Sequence, residues 1–170
     1  ETASRELDLV LTGREAGAGK RAPMCGIPYH ASSQYISRLI SKGYKVAICE
    51  QVEDPRLAKG LVKRDVVRVI TPGTVIDGDF LDEKANNYIG SLCWVRPSGG
   101  RKACAGMAFA DVSTGEFSAT QIEAGSLEEC VAELSRVQPS EIVIPPALEG
   151  SEALERLKAQ AGGPVVTVYR

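Results

Sequence analysis

Apolar and polar positions along this chain change rhythm several times, and each change marks an element. Residues 1–7 carry a helical spacing, and Leu9–Thr12 reads as a short strand. Gly13–Ala22 is rich in glycine and reads as a loop closed by Pro23. Ser32–Lys42 predicts a helix, with Tyr35, Ile36, Leu39 and Ile40 on one face and Gly43 able to supply a left-handed stop. Lys45–Cys49 is a compact apolar run, Val-Ala-Ile-Cys, and reads as a strand broken by Asp54-Pro55. Arg64–Thr71 is a second β-branched strand, ended by the turn dipeptide Pro72-Gly73.

Residues 74–87 are mixed and polar, with Asp77-Gly78-Asp79 at their centre, and mark the expected junction between residues 1–79 and 80–170. Beyond it three strands follow closely: Tyr88–Val95, Ala103–Val112 and Glu116–Gln121. Pro97–Gly100 and Ser113-Thr-Gly115 supply the hairpin loops. Ser126 with Glu129 has the spacing of a capping box at the head of a helix whose apolar stripe is Leu127, Cys130, Val131 and Leu134. Strand Ile142–Ile144, helix Ser151–Ala161 and strand Val165–Tyr169 complete the chain. The expected class is α/β (α+β): a mixed-sheet first domain, then β-β-β-α-β-α-β with helices packed on a mixed sheet. By analogy of element order, the second part has a ribonuclease-H-like arrangement.

Composition narrows the picture. Of 170 residues, 44% are hydrophobic and 5% aromatic, so aliphatic side chains must fill a packed core. No apolar run approaches the length of about 18 residues that a membrane span needs. The chain starts at Glu1 on a pattern that reads as the tail of a helix, with no leader-like segment. Residues 1–79 hold 12 Lys and Arg against 10 Asp and Glu, and residues 80–170 hold 8 against 12. A duplex-binding surface therefore fits the first half better. The five Cys, at 25, 49, 93, 104 and 130, are widely spaced, and His30 is the only His. No zinc-ligand spacing results, and Ile48-Cys49 and Leu92-Cys93 read as small core residues of a reducing compartment, by default the cytoplasm.

Several motifs invite chemistry. Gly13–Lys20 resembles a phosphate loop, but the first Gly of that motif would fall at Arg14 and its Ser/Thr at Arg21, with Pro23 where a helix should start. The better reading is a loop of backbone N–H groups bearing Arg14, Lys20 and Arg21, suited to lie along phosphates. His30 has no evident nucleophile: Ser32 and Ser33 read as helix caps, and Cys25 lies on a Pro-bounded turn. Asp111 and Glu116 are the only strand carboxylates available to a metal-dependent nuclease, and Asp111 before Ser-Thr-Gly is explained by turn chemistry. In Lys63–Thr74, strict alternation places Arg64, Val66 and Arg68 on one face, where two Arg could track a phosphate strand; a charge-protected edge strand is the alternative.

Ala22-Pro-Met-Cys-Gly-Ile-Pro-Tyr-His-Ala31, Val46-Ala-Ile-Cys-Glu-Gln51, Asp54-Pro55 with Lys59-Gly60, and Lys63–Thr74 together resemble the mismatch-recognition domain of the MutS family of DNA mismatch-repair proteins. Phe109-Ala-Asp-Val-Ser-Thr-Gly-Glu-Phe117 resembles that family's connector domain. The resemblance covers essentially the whole chain. It implies DNA contacts at Arg14, Met24, Tyr29, His30 and Arg68; Lys20 and Arg21 match no family contact. It implies mismatched or looped double-stranded DNA, MutL and a second MutS subunit as partners, and a bacterial, nucleoid-associated cytoplasmic setting. It implies no catalytic, cofactor-binding or metal residue in these 170. ATP and magnesium would act in carboxy-terminal domains beyond this stretch, and the connector would be cut short. The family's Phe-x-Glu wedge would lie just upstream of residue 1. The alternative is a ribonuclease-H-like, metal-dependent nuclease using Asp111.

Overall fold

The structure is a computed structural model that describes residues 1–58, 60–76, 85–95, 103–123 and 125–169. It divides into two compact units, Glu1–Ile70 and Thr71–Arg170. The expected junction at Asp77-Gly78-Asp79, Lys59 and the Pro97–Gly100 loop lie outside the described residues.

The first unit opens with helix α1 (Thr2–Leu7), closed by Asp8 in the left-handed region at φ 56°. The strand expected over Leu9–Thr12 begins instead at Thr12: β1 (Thr12–Glu15) pairs antiparallel with β2 (Arg21–Met24). The expected loop Gly13–Ala22 is thus a β-hairpin. Gly17, Ala18 and Gly19 all take positive φ at its tip, which glycine provides at little steric cost. A three-ten turn (Tyr29–Ala31) runs directly into helix α2 (Ser32–Ser41). This continuity explains why Ser32 and Ser33 do not cap: the N-cap position falls to Ala31, with no side-chain bond. Gly43 ends α2 as expected, at φ 81° with its N–H donating to Ile40 O at 2.8 Å.

Strands β3 (Val46–Gln51) and β4 (Arg64–Ile70) form a second antiparallel pair. The ladder contains a bulge: Ile48 stands opposite Arg68 and Cys49 opposite Val66, leaving Val67 extra. One extra residue reverses the inside–outside alternation beyond it. Arg68 therefore shares the half-buried face of Ile48 and Ile70, while Arg64 and Val66 share the exposed face of Cys49 and Gln51. The expectation that Arg64, Val66 and Arg68 line one face is overturned by this single residue.

The second unit begins with a three-ten turn, Pro72–Thr74, and a five-stranded sheet. Its strands are β5 (Tyr88–Val95), β6 (Cys104–Asp111), β7 (Glu116–Glu123), β8 (Glu141–Ile144) and β9 (Val165–Val168). Their order is β7-β6-β5-β8-β9, with the first three antiparallel and β8 and β9 parallel to β5. Helices α3 (Leu127–Val137) and α4 (Glu152–Lys158) share one core with the sheet. Leu92, Ala105, Met107, Phe109, Ile142 and Ile144 meet Leu127, Cys130, Leu134, Leu154 and Leu157 there. Each large side chain buried in this way contributes about 1.5–3 kcal/mol of transfer free energy.

Period-two geometry decides which strand residues reach that core. Cys93 pairs with Gly106 on the face opposite Met107 and is exposed; Cys49 is exposed too. Only Cys130 is fully buried, so the expectation of core cysteines fails at Cys49 and Cys93. The capping box at Ser126 also does not form. Ser126 makes no side-chain cap bond, and Glu129 reaches past it to accept Gly125 N–H at 3.0 Å.

Candidate nucleic-acid interface

The hairpin register assembles the first part of the site. Thr12 stands opposite Met24 and Arg14 opposite Ala22, so Arg14 and Met24 share one face of the ribbon. Both are exposed. Among the described residues no ion pair engages Arg14, which leaves its guanidinium available to an external anion. Arg21 lies on the opposite face. Its side chain folds over Gly13, with Nε donating to Gly13 O at 3.1 Å. A Cβ at Gly13 would come within 2.7–2.9 Å of that side chain, so the glycine is what lets Arg21 lie flat.

Tyr29 and His30 sit in the three-ten turn before α2. Both are exposed, Tyr29 to 90%, with no hydrophobic packing to explain so bare an aromatic ring. Arg68 stands apart on the β3–β4 pair, half buried. The five sequence candidates therefore fall into a hairpin face, an exposed turn and one half-buried strand position.

The Gly19-Lys20 segment lies at the tip of a hairpin and leads into β2 rather than a helix. A nucleotide phosphate site of the Walker kind needs a helix N-terminus directly after the loop, and this geometry does not fit one.

Asp111 and Glu116 are register partners across β6 and β7. Asp111 is 2% exposed, and both of its carboxylate oxygens are engaged. Oδ1 accepts Ser113 N–H at 2.9 Å, Ser113 Oγ–H at 2.6 Å and Thr114 N–H at 3.3 Å; Oδ2 accepts Asn87 N–H at 3.0 Å. The Ser113 hydroxyl bond chiefly, with the three backbone N–H groups, holds this carboxyl below its ordinary value against the opposing effect of burial. Glu116 instead accepts the Tyr88 hydroxyl at 3.1 Å. Among the described residues no three His, Cys, Asp or Glu side chains gather into a possible metal site. Asp111 is thus the turn-organising residue that its Ser-Thr-Gly context predicts.

Sequence reasoning missed Glu141, a second carboxylate only 2% exposed. It accepts hydrogen bonds from Thr71 Oγ1, Thr167 Oγ1 and Gly73 N. Its only sequence signal is an acid leading the otherwise apolar strand Glu141-Ile-Val-Ile144.

Comparison with known proteins bears on both units. The sequence profile described as MutS domain I matches residues 1–79, and that described as MutS domain II matches residues 87–169. DNA mismatch repair protein MutS of Symbiobacterium thermophilum is 49% identical over 171 residues, covering 99% of this chain and 19% of its own length. The protein of the same name from Clostridium perfringens is 56% identical over 151 residues, covering 88% of this chain and 16% of its own. That from Clostridium novyi is 58% identical over 144 residues, covering 85% and 15%. The chain thus spans less than a fifth of the length of these relatives. Two solved structures align at TM-scores of 0.36 and 0.32: a simian T-cell lymphotropic virus intasome with PP2A regulatory subunit B56 gamma, and an HTLV-2 integrase catalytic core domain with magnesium. They share 15% and 13% identity, cover 52% and 51% of this chain and 36% and 63% of theirs, and carry no weight at that level.

Proposed function

Since the chain belongs to the MutS family, we propose that it is the duplex-contacting and signal-relaying part of a DNA mismatch-repair protein. Its first unit would lie against the phosphate backbone of bent DNA and its second would act as the connector. The observation that carries the first half of this reading is the shared exposed face of Arg14 and Met24 on the β1–β2 hairpin. A guanidinium supplies a phosphate contact, and a flexible thioether beside it packs against the sugar edge of a groove. Tyr29 and His30 are exposed and can extend that contact; Arg68, half buried, is the weakest member of the set.

The mechanism is indirect readout. A mismatched step stacks poorly and bends at lower cost, so a kinked complex favours it. Phosphate contacts hold the bend but cannot themselves distinguish a mismatch, because the backbone charge is the same in both duplexes. The wedge that makes the distinction in this family is a Phe-x-Glu motif, and none occurs in these 170 residues. ATP and magnesium are assigned to other parts of the longer protein. MutL and a second MutS subunit are the proposed protein partners, with MutL reached through residues 88–170. The strand order β7-β6-β5-β8-β9, three antiparallel then two parallel, supports reading that unit as ribonuclease-H-like. The assignment of residues 1–79 to recognition and 80–170 to the connector belongs to the same proposal. The engaged oxygens of Asp111 speak against the nuclease alternative.

The test is a fluorescence titration of the chain with a G·T duplex and its matched twin at several salt concentrations. Weak binding with nearly equal affinities is expected. For about three phosphates neutralised the log–log salt slope is near −2.7, and Arg14→Ala flattens it by about 0.9. A mismatch preference above about tenfold, or a slope unchanged in Arg14→Ala, overturns this division of labour.

A further inference from the structure

We infer that the segment Thr71–Val75 is a plug: an internal peptide seated in the second unit so firmly that it stays bound when the chain is cut behind it. Pro72 and Gly73 are buried and Val75 is 2% exposed, although the segment forms only a single three-ten turn. Its shape is fixed from within. Thr71 N–H donates to Thr74 Oγ1 at 3.0 Å, and Thr74 N–H to Thr71 O at 3.0 Å. It is also held from without, at both ends of a polar network. Pro72 O accepts Asn87 Nδ2–H at 2.9 Å, and Asn87 Oδ1 in turn accepts Ser140 Oγ–H at 2.6 Å. Gly73 N–H donates to Glu141 Oε2 at 3.2 Å, and the Thr71 hydroxyl donates to the same oxygen.

Two physical facts make this a seat rather than a casual contact. A buried carboxylate is costly unless its oxygens are satisfied, and the plug supplies two of the three donors named here for Glu141. The fit is also steric. A Cβ on Gly73 would stand 2.8 Å from Glu141 Cβ and 2.9 Å from Ile89 Cβ. Both atoms belong to β-strands and cannot swing aside, so only glycine seats at this position.

The experiment inserts a site for a sequence-specific protease after Gly78 in the full chain, cuts it, and follows the two pieces by size-exclusion chromatography under native conditions. The pieces are expected to elute together at low micromolar concentration. A cut chain carrying Thr71→Val with Gly73→Ala is expected to separate. Wild-type pieces that separate overturn the inference, and so does co-elution of the substituted chain, because the association would then rest elsewhere. Amide hydrogen exchange on the uncut wild type gives a reading independent of whether any variant folds. The Gly73 and Thr74 amides are expected to exchange at least about 100-fold more slowly than in an unstructured peptide. Exchange at the unstructured rate would overturn the plug.

Discussion

The two units of this chain solve the problem of stability differently. Among the described residues the first unit, with two separate two-stranded sheets and two helices, buries only three large apolar side chains, Leu7, Ile40 and Ile70. Val10, Leu57 and Leu61 are more than 80% exposed, and Val66, Val67 and Val69 more than half. The second unit has a five-stranded sheet and a core of thirteen buried residues contributed by three strands, both helices and the turn before α4. Paired strands alone are marginal in water, whereas a broad sheet packed on helices sustains itself. The difference teaches that the unit proposed to touch DNA keeps its surface open and its own core small. The unit proposed to relay a signal has the broader sheet and the larger core.

That contrast can be broken most directly at the core. Leu134→Ala, at a position with no solvent exposure, should destabilise the second unit by roughly 3 kcal/mol, whereas Val69→Ala, more than half exposed, should cost under about 0.5 kcal/mol. Urea denaturation with hydrogen exchange resolved by residue would show it. The first unit should open at lower denaturant than the amides of β5, β6 and β8. Equal losses from the two substitutions would erase the distinction.

A comparable loss is expected from Asp111→Ala, roughly 2–3 kcal/mol, because the N–H groups of Asn87, Ser113 and Thr114 and the Ser113 hydroxyl all lose a charged acceptor. The same bonds give the second unit an acid limit. The carboxyl of Asp111 is held below its ordinary value in the folded state, so the unfolded chain binds the proton first as pH falls. Its contribution is complete above the ordinary aspartate value of 3.8 and fades as pH drops from there through the folded value. Stability measured from pH 6 down to pH 2 should fall less steeply in Asp111→Asn than in the wild type. Parallel curves would remove this residue from the acid response.

In the first unit, Gly43→Ala should cost about 1 kcal/mol, since φ 81° closes α2 and an L side chain resists that conformation. Thermal melting followed at the first transition would detect it, and a shift confined to the second transition would count against the assignment. The smallest effect is expected from Arg136→Ala. Its bonds to Glu133, the shortest at 2.6 Å, lie on the exposed surface of α3, where water and salt screen them. The melting temperature should move by about 1 °C or less.

Much of the second unit is legible in the sequence. Tyr88–Val95 forms a strand at the bounds its pattern predicts, and the order of strands and helices after it follows the sequence rhythm. Leu127, Cys130 and Leu134 are buried as their helical spacing requires. The reason is that long, strongly periodic segments report their own partner face. The first unit was harder to read because its elements are short: a four-residue strand at Thr12–Glu15 carries too few alternations to be told from a loop.

The sequence by itself determined the element types of the second unit, the glycine stop at Gly43, the hairpin loop ending at Gly115, the turn chemistry of Asp111 and, through family likeness, the candidate contacts Arg14, Met24, Tyr29, His30 and Arg68. Those are local properties: a positive φ, an Asp two residues before an N–H, a run of matched residues. Tertiary structure alone decided which faces they occupy. The extra residue at Val67 turns Arg68 away from the face of Arg64, although nothing in the alternation of Lys63–Thr74 announces a bulge. Pairing of β5 with β6 sends Cys93 out and Leu92 in. Glu141 becomes a buried acceptor only because a turn seventy residues earlier in the chain arrives to satisfy it. Periodicity is a statement about neighbours in sequence, whereas burial and hydrogen-bond satisfaction depend on neighbours in space.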